Sequence, residues 1–492
     1  MAMITLDVLD ATGNRRESVT LPDDVPVNRI LVMLIEKLGL PTRHELDNRL
    51  LVYKFHHVTA GQIRDEQTLA GAGVKGGDVL RLFGEMIAGA AACESAVAGS
   101  CADRFDRFRR IAWWNQARLH DARVLVIGAG ALGNENLKNL ALLGVGNIFV
   151  ADLDLVEESN LSRSVLFRSG DVHQPKARVA AERVGAIYPD AHVQWFHGNV
   201  IYDLGLGVFA WADVVICGLD NREARLAVNR ACWKVNRPLI DGATEVLNGV
   251  VRVFVPPDGA CYECAMSAQD WQVLRERRGC FGMEAAGSAP ATIPTTPVTA
   301  SVIAGIQCQE LVKLLHGVPS LAGSGMVFNG GINDVYTFNI NKNEDCNSHE
   351  TYDRIIPLSQ QVAHVSASQL LRLAAAELGS GAVVRIPHPL LVSLNCPACG
   401  TEQEVFQPVG SLKDDIAPCP ACGKMRQAVT CDCLSGSEPF LDRPLSGLGV
   451  PAFDIVAASR AGRIVGYEFC GDARTVLGPV WLPATAVAAE VA

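Results

Sequence analysis

The stretch from Arg123 to Arg163, RVLVIGAGALGNENLKNLALLGVGNIFVADLDLVEESNLSR, limits what this chain can fold into more than any other. Val124 to Ile127 form an unbroken apolar run, the pattern of a parallel strand covered on both faces. Gly128, Gly130 and Gly133 follow as G-x-G-x-x-G, and Leu137, Leu140 and Leu142 carry a helical pattern behind them. A second strand, Asn147 to Val150, leads to Asp152, about twenty residues beyond the last glycine. In such a unit the first glycine makes the tight turn, the second lets phosphate approach the backbone, and the third lets helix pack on strand. The free N–H groups and dipole of the helix start then hold an anion, and Asp152 is placed to accept a ribose hydroxyl. The stretch predicts a nucleotide-binding βαβ unit.

A dehydrogenase would need little after Asp152. This chain instead reads Ser159-Asn160-Leu161-Ser162-Arg163 and then Gln174-Pro175-Lys176-Ala177. With these residues the segment GVGNIFVADLDLVEESNLSRSVLFRSGDVHQPKA resembles the adenylation domain of ubiquitin-activating enzymes and of their bacterial relatives, which adenylate sulfur-carrier proteins. The resemblance runs from about Arg104 to His349. It implies a Rossmann-like α/β fold with a mostly parallel sheet, ATP as the nucleotide and an acyl-adenylate as the product. By the same resemblance the backbone at Gly128, Gly130 and Gly133 cradles phosphates and Asp152 takes the ribose. Asn160, Arg163 and Lys176 match polar residues used on the phosphates, where cations suit an α-phosphate gathering negative charge. Relatives usually have Arg-Gln where this chain has Arg163-Ser164, so one phosphate contact is lost or supplied elsewhere.

Ala212 to Cys217 reads as another buried strand, and Asp220 just beyond it matches the family's catalytic aspartate, which holds Mg²⁺ at the pyrophosphate. The plainer reading of Asp220 is a cap on the helix beginning near Arg222. Arg107, in Arg104-Phe105-Asp106-Arg107, matches an arginine that reaches across the interface of dimeric relatives to the γ-phosphate, or else it lies on a solvated basic face. The first reading implies a homodimer.

Sixteen cysteines in a chain without a signal-like N-terminus point to zinc and thiol chemistry, because many of them stand as C-x-x-C pairs. Cys261/Cys264 and Cys346/His349 each have the two-residue gap that lets one turn present two ligands to a tetrahedral Zn²⁺. Cys396/Cys399 and Cys419/Cys422 lie in two copies of Cys-Pro-Ala-Cys-Gly, a zinc-ribbon signature, with redox-active pairs as the alternative. Cys431 and Cys433 are spare thiols, and Cys217, Cys232 and Cys308 fall on core patterns. Cys280 follows Arg275-Glu276-Arg277-Arg278-Gly279, cations that would stabilise a thiolate nucleophile. Its position resembles that of the thioester-forming cysteine of eukaryotic relatives, with Ala285 to Thr292 a flexible neighbour.

Four segments follow. Residues 1–85 read strand, strand, helix, strand, strand, which resembles a ubiquitin-like β-grasp domain; it runs on through Gly84-Glu85-Met86 rather than ending in a free tail, so it reads as an interaction domain rather than cargo. Residues 86–103, rich in Ala, Gly and Ser, are the linker and contain Cys93 and Cys101. Residues 104–350 are the adenylation domain, and 351–492 a zinc-ribbon-containing domain with a capped helix from Ser366 to Leu378. The net charge of −10 argues against nucleic acid as a partner, and no stretch reads as a membrane span. A cytoplasmic protein is expected.

The expected activity is ATP-dependent adenylation of the C-terminal glycine of a ubiquitin-like protein, thioester formation on Cys280 and transfer to a conjugating enzyme. The alternatives are activation of a sulfur carrier for molybdopterin or thiamine synthesis without conjugation, and a non-catalytic scaffold.

Overall fold

The computed structural model describes residues 2–10, 16–43, 50–57, 59, 61–86, 103–276, 283 and 294–481. The chain divides into two compact units, Met1–Gln116 with Asp334–Tyr336, and Ala117–Asn333 with Thr337–Ala492.

In the first unit, β1 (Met3–Leu9) and β2 (Arg16–Pro22) form an antiparallel hairpin, followed by a helix Val27–Leu38, β3 (Leu51–His57), β4 (Gly61–Gln62) and β5 (Val79–Met86). The sheet order is β2-β1-β5-β3-β4, with β1 and β5 parallel at its centre, as a β-grasp requires. Alternating Leu6 and Val8 meet Ile30, Leu31 and Leu34 of the helix in one core. Met33 is 52% exposed, because it stands about 200° around the helix from Leu31. The linker, with Cys93 and Cys101, lies outside the described residues apart from Met86 and Asp103.

The second unit carries two sheets. The larger uses β6 (Arg123–Ile127), β7 (Asn147–Asp152), β8 (His192–His197), β9 (Val214–Cys217), β10 (Leu239–Glu245), β11 (Asn248–Phe254), β12 (Ser324–Asn329) and β13 (Asp334–Asn339), the last belonging to this unit from Thr337 on. Their order is β13-β12-β11-β10-β9-β6-β7-β8. Strands β8-β7-β6-β9-β10 are parallel, and β11 and β12 continue antiparallel. The chain leaves β6 toward β7 on one side and returns to β9 on the other. The crevice of such a sheet opens at that reversal, past the carboxyl ends of the strands. Leu137 and Leu140 of helix Ala131–Leu143 are buried as their spacing predicts, while Leu142 is 51% exposed at its last turn.

One helix meets the length and composition of a membrane span although none is expected from the sequence. Helix Pro297–His316, 20 residues with an 18-residue stretch of mean hydropathy 1.3, is long and apolar enough to cross a membrane by length and composition. Its burial explains the composition: Ala300, Ile303, Ala304 and Leu311 are buried, and Gln307 donates from beneath the sheet to the carbonyls of Cys217 and Ile240 at 3.0 and 3.2 Å.

The smaller sheet comprises β14 (Arg354–Leu358), β15 (Val383–Asn395), β16 (Glu402–Pro408), β17 (Gln427–Leu434), β18 (Ile455–Arg460) and β19 (Arg463–Phe469). It is ordered β14-β19-β18-β15-β16, with β17 also on β15. Helix Ala367–Leu378 is capped by Ser366, whose hydroxyl accepts from the Gln369 amide while the Gln369 side chain accepts from the Ser366 amide. The two sheets share a core: Phe453, Ile455 and Leu477 pack with Phe209, Trp211 and Phe254. Asp454 reinforces the seam by accepting from the Leu206 amide at 2.7 Å, and the Phe453 carbonyl accepts from Gly207 at 2.9 Å.

Candidate nucleotide site and metal centres

Gly128 leaves β6 with φ = 94°, a conformation open to glycine, and a Cβ there would stand 2.9 Å from the Gly218 carbonyl of the neighbouring loop. A Cβ on Gly133 would overlap the Gly128 carbonyl, whereas Gly130, the helix N-cap, faces open space. Gly128 and Gly133 therefore take the turn and packing roles their spacing assigns, and Gly130 leaves the backbone between them open. A Gly133→Ala variant is expected to lose about 1–3 kcal/mol in a denaturant titration, while Gly130→Ala retains its unfolding midpoint and weakens ATP binding. Equal midpoints for wild type and Gly133→Ala would refute the packing role.

Asp152 accepts from the Ala129 amide of this loop at 2.6 Å and from the Asp154 amide at 2.7 Å, one oxygen each. Each oxygen retains a lone pair for a ligand hydroxyl. Burial pushes this carboxyl up, against the pull of the Lys176 ammonium and the two amides. The buried Lys176 reaches Asp154 at 2.8 Å. Asp154 is a site residue that sequence reading passed over, although it stands two residues from Asp152 in the same strand exit.

The segment behind these groups is folded over the helix start by Asn134, a second residue missed. Its side chain donates to the Ala129 and Gly130 carbonyls at 2.6 and 3.1 Å and accepts from Leu166 at 2.9 Å. Arg163, half-buried in that segment, donates to the Ser159 carbonyl at 2.6 Å. Asn160 caps its own turn, accepting from the Glu157 amide at 2.9 Å. Ser164 has a buried hydroxyl with no hydrogen-bond partner among the described residues.

Asp220 is not a helix cap. Asn221 takes that position, accepting from the Ala224 amide at 2.7 Å, so the exposed Asp220 carboxylate is left at the crevice side of β9. The loop is held from below by Arg225, which donates to the Leu219 and Gly242 carbonyls and pairs with the buried Asp241; Arg252 pairs with the other Asp241 oxygen at 3.1 Å. Arg107 lies in the first unit, on an exposed turn. Cys280 and the segment 285–292 lie outside the described residues.

Both predicted ligand sets assemble. The ligand atoms of Cys261, Cys264, Cys346 and His349 lie within 4.8 Å of one another, as do those of Cys396, Cys399, Cys419 and Cys422. Separations of 3.5 to 3.7 Å between sulfurs fit the roughly 3.8 Å edge of a tetrahedron with 2.3 Å zinc–sulfur bonds. At the first site burial holds the His349 pKa below its ordinary value, favouring the neutral, ligating ring, which stacks on Trp233 with centroids 4.2 Å apart. Glu263 supports that site, bridging Arg230 at 2.9 Å and the Ser348 hydroxyl. At the second, the two Cys-Pro-Ala-Cys-Gly copies make matching turns, with Gly400 and Gly423 at φ of 73° and 69°. Hydrogen bonds from the Thr401 side chain and backbone pull the Cys399 thiol down to about 6, toward the thiolate that binds metal. Cys431 and Cys433 belong to neither cluster. Cys217 and Cys308 are core residues as predicted, their thiols pushed up to about 12 by burial.

The model of the ThiF family matches residues 104–348, and that of the WXG100 protein secretion system protein YukD, a ubiquitin-like domain, matches residues 3–82. Over 222 residues the chain is 33% identical to the sulfur carrier protein ThiS adenylyltransferase of Escherichia coli, covering 45% of this chain and 82% of that protein. It is 38% identical over 150 residues to the NEDD8-activating enzyme E1 catalytic subunit of Schizosaccharomyces pombe, and 40% over 157 residues to its Drosophila melanogaster counterpart. Those matches span 34% and 35% of the two subunits, and 30% and 29% of this chain. With the glycine cradle, the strand reversal and a relative covered over most of its length in agreement, the chain belongs to the ThiF family.

Proposed function

We propose that this protein is an ATP-dependent adenylyltransferase acting on the C-terminal carboxylate of a ubiquitin-like or sulfur-carrier protein. The observation that carries the reading is the Asp220 carboxylate, released from capping by Asn221 and left at the strand reversal whose glycine loop abuts its own. ATP would lie with its phosphates on the amides at Gly128–Gly133 and its ribose at Asp152. Lys176, turning from Asp154, and Arg163 would meet the phosphates. Asp220 would hold Mg²⁺, which supplies charge neutralisation at the pyrophosphate. The carrier carboxylate attacks the α-phosphorus, the bond to the β-phosphate oxygen breaks, and pyrophosphate leaves with its electron pair. Fixed cations favour this step because charge grows on the phosphate oxygens as the bond forms.

In the finer reading, the Cys280 thiolate attacks the acyl carbon, AMP leaves, and the thioester passes to a conjugating enzyme. Arg107 would act from a second copy, making the enzyme a homodimer, and the cytoplasm would keep its thiols reduced. The four-cysteine cluster would be a zinc ribbon recruiting the acceptor. The more complete coverage of the ThiS adenylyltransferase favours a second reading, sulfur-carrier activation without a thioester on Cys280. Incubation with carrier, ATP and Mg²⁺ followed by a non-reducing gel separates the two. A thiol-sensitive adduct lost in Cys280→Ala supports conjugation, and carrier-dependent pyrophosphate exchange without an adduct supports sulfur transfer. Neither signal would leave only a scaffold and refute adenylation.

A further inference from the structure

The ligand set of Cys261, Cys264, Cys346 and His349 brings three thiolates to one Zn²⁺, so the centre it forms is net negative in a largely buried setting. Sulfurs that carry such charge need hydrogen-bond donors around them. The backbone supplies some. The Cys264 amide donates to Cys261, the Asn343 amide to Cys264 at 3.4 Å, and the Ser348 amide to Cys346. Cys261 is buried while Cys264 and Cys346 are half-buried, so it draws the least help from solvent.

Helix Arg222–Lys234 carries Asn229, Arg230 and Trp233 toward this centre. Arg230 is committed to Glu263, and Trp233 stacks on His349. Asn229, one turn before Trp233 and 1% exposed, accepts from the Tyr262 amide at 2.9 Å through its Oδ1. That bond fixes which way the side-chain amide points, because a backbone N–H meets the oxygen and not the nitrogen. Its Nδ2 is buried and closes no hydrogen bond among the described residues. The same side chain lies within hydrogen-bonding reach of the Cys261 sulfur. A buried donor without an acceptor is costly, and a metal-bound thiolate accepts more strongly than a thiol.

We propose that Asn229 donates an N–H···S hydrogen bond to the Cys261 thiolate and, by drawing charge off that sulfur, sets the metal affinity of this centre. Asn229 is a positioning residue: it holds a ligand, not the metal. The assignment concerns the zinc site alone and is independent of adenylation.

Competition with a chromophoric chelator, run on the full-length zinc-loaded protein, tests it. The class of zinc that Cys264→Ala abolishes is expected to bind about 10–100-fold more weakly in Asn229→Ala, with the other class unchanged. Asn229→Asp, in mildly alkaline buffer, separates this role from a merely structural one. It keeps the volume and the acceptor for the Tyr262 amide but turns a carboxylate oxygen toward the sulfur, so it is expected to weaken zinc at least as much. Zinc held as tightly in Asn229→Asp as in wild type would overturn the proposal and leave Asn229 a support for the Tyr262 turn only. Unchanged affinity in Asn229→Ala would overturn it as well. Should the variants fail to fold, wild type reloaded with an NMR-active cadmium isotope decides: scalar coupling between the metal and an Asn229 side-chain amide proton is expected, and its absence would refute the hydrogen bond.

Discussion

Asp220→Ala is expected to lower carrier-dependent ATP–pyrophosphate exchange by about 10²–10³-fold, the scale of losing one preorganised electrostatic partner of a transition state. The same change should leave thermal stability nearly untouched. Asp220 is exposed, and the helix it precedes begins on Asn221, whose side chain accepts from the Ala224 amide at 2.7 Å. Surface substitutions away from caps and cores stay within about 0.5 kcal/mol. Asn221→Ala gives the reciprocal control, because loss of an N-cap costs about 1 kcal/mol. Exchange at wild-type rate in Asp220→Ala would remove the central residue of the proposed mechanism. A large loss of stability would show that the aspartate serves the fold instead.

Cys264→Ala is expected to release one of two zinc ions per chain and to destabilise the protein by about 3 kcal/mol or more, read by elemental analysis and denaturant titration. The reason is the reach of that site. It joins the turn after β11 to the segment before β14, stacks its histidine on Trp233 and rests on the Glu263–Arg230 pair. Cys399→Ala should release the other ion at a smaller cost in stability, since Cys399 and Cys422 are exposed between edge turns. Zinc content unchanged in either variant would contradict the corresponding site.

Much of the nucleotide half could be read from the sequence because its constraints are local. A glycine needing positive φ, a glycine needing contact and a run of buried strand residues each leave a mark within a few positions. Both ligand sets could be read for the same reason, two ligands to a turn. What escaped depends on longer or finer geometry. Asp220 and Asn221 are adjacent and both good caps, so only the backbone at Asn221, φ −118° and ψ 143°, decides between them. The Arg225–Asp241–Arg252 cluster joins two strands and a helix and carries no spacing signature. In helix Pro297–His316 the core reading rests on Cys308 alone, because the buried Gln307 and Glu310 beside it interrupt the apolar pattern. The overlap between the two sheets of the second unit was invisible as well, since Phe453 and Trp211 are distant in sequence.

That shared interior has a consequence for how the molecule can be divided. Gly205 and Gly207 are small because the backbone of Ala452 and Phe453 presses directly on them, leaving no room for a side chain. A chain cut after residue 350 would uncover the flank of Phe209 and Trp211 and strand the Leu206 amide without its acceptor. The catalytic half is therefore not a portable cassette: the segment beyond residue 350 is the outer wall of the room in which the nucleotide sheet stands, and heat should bring both down in one transition.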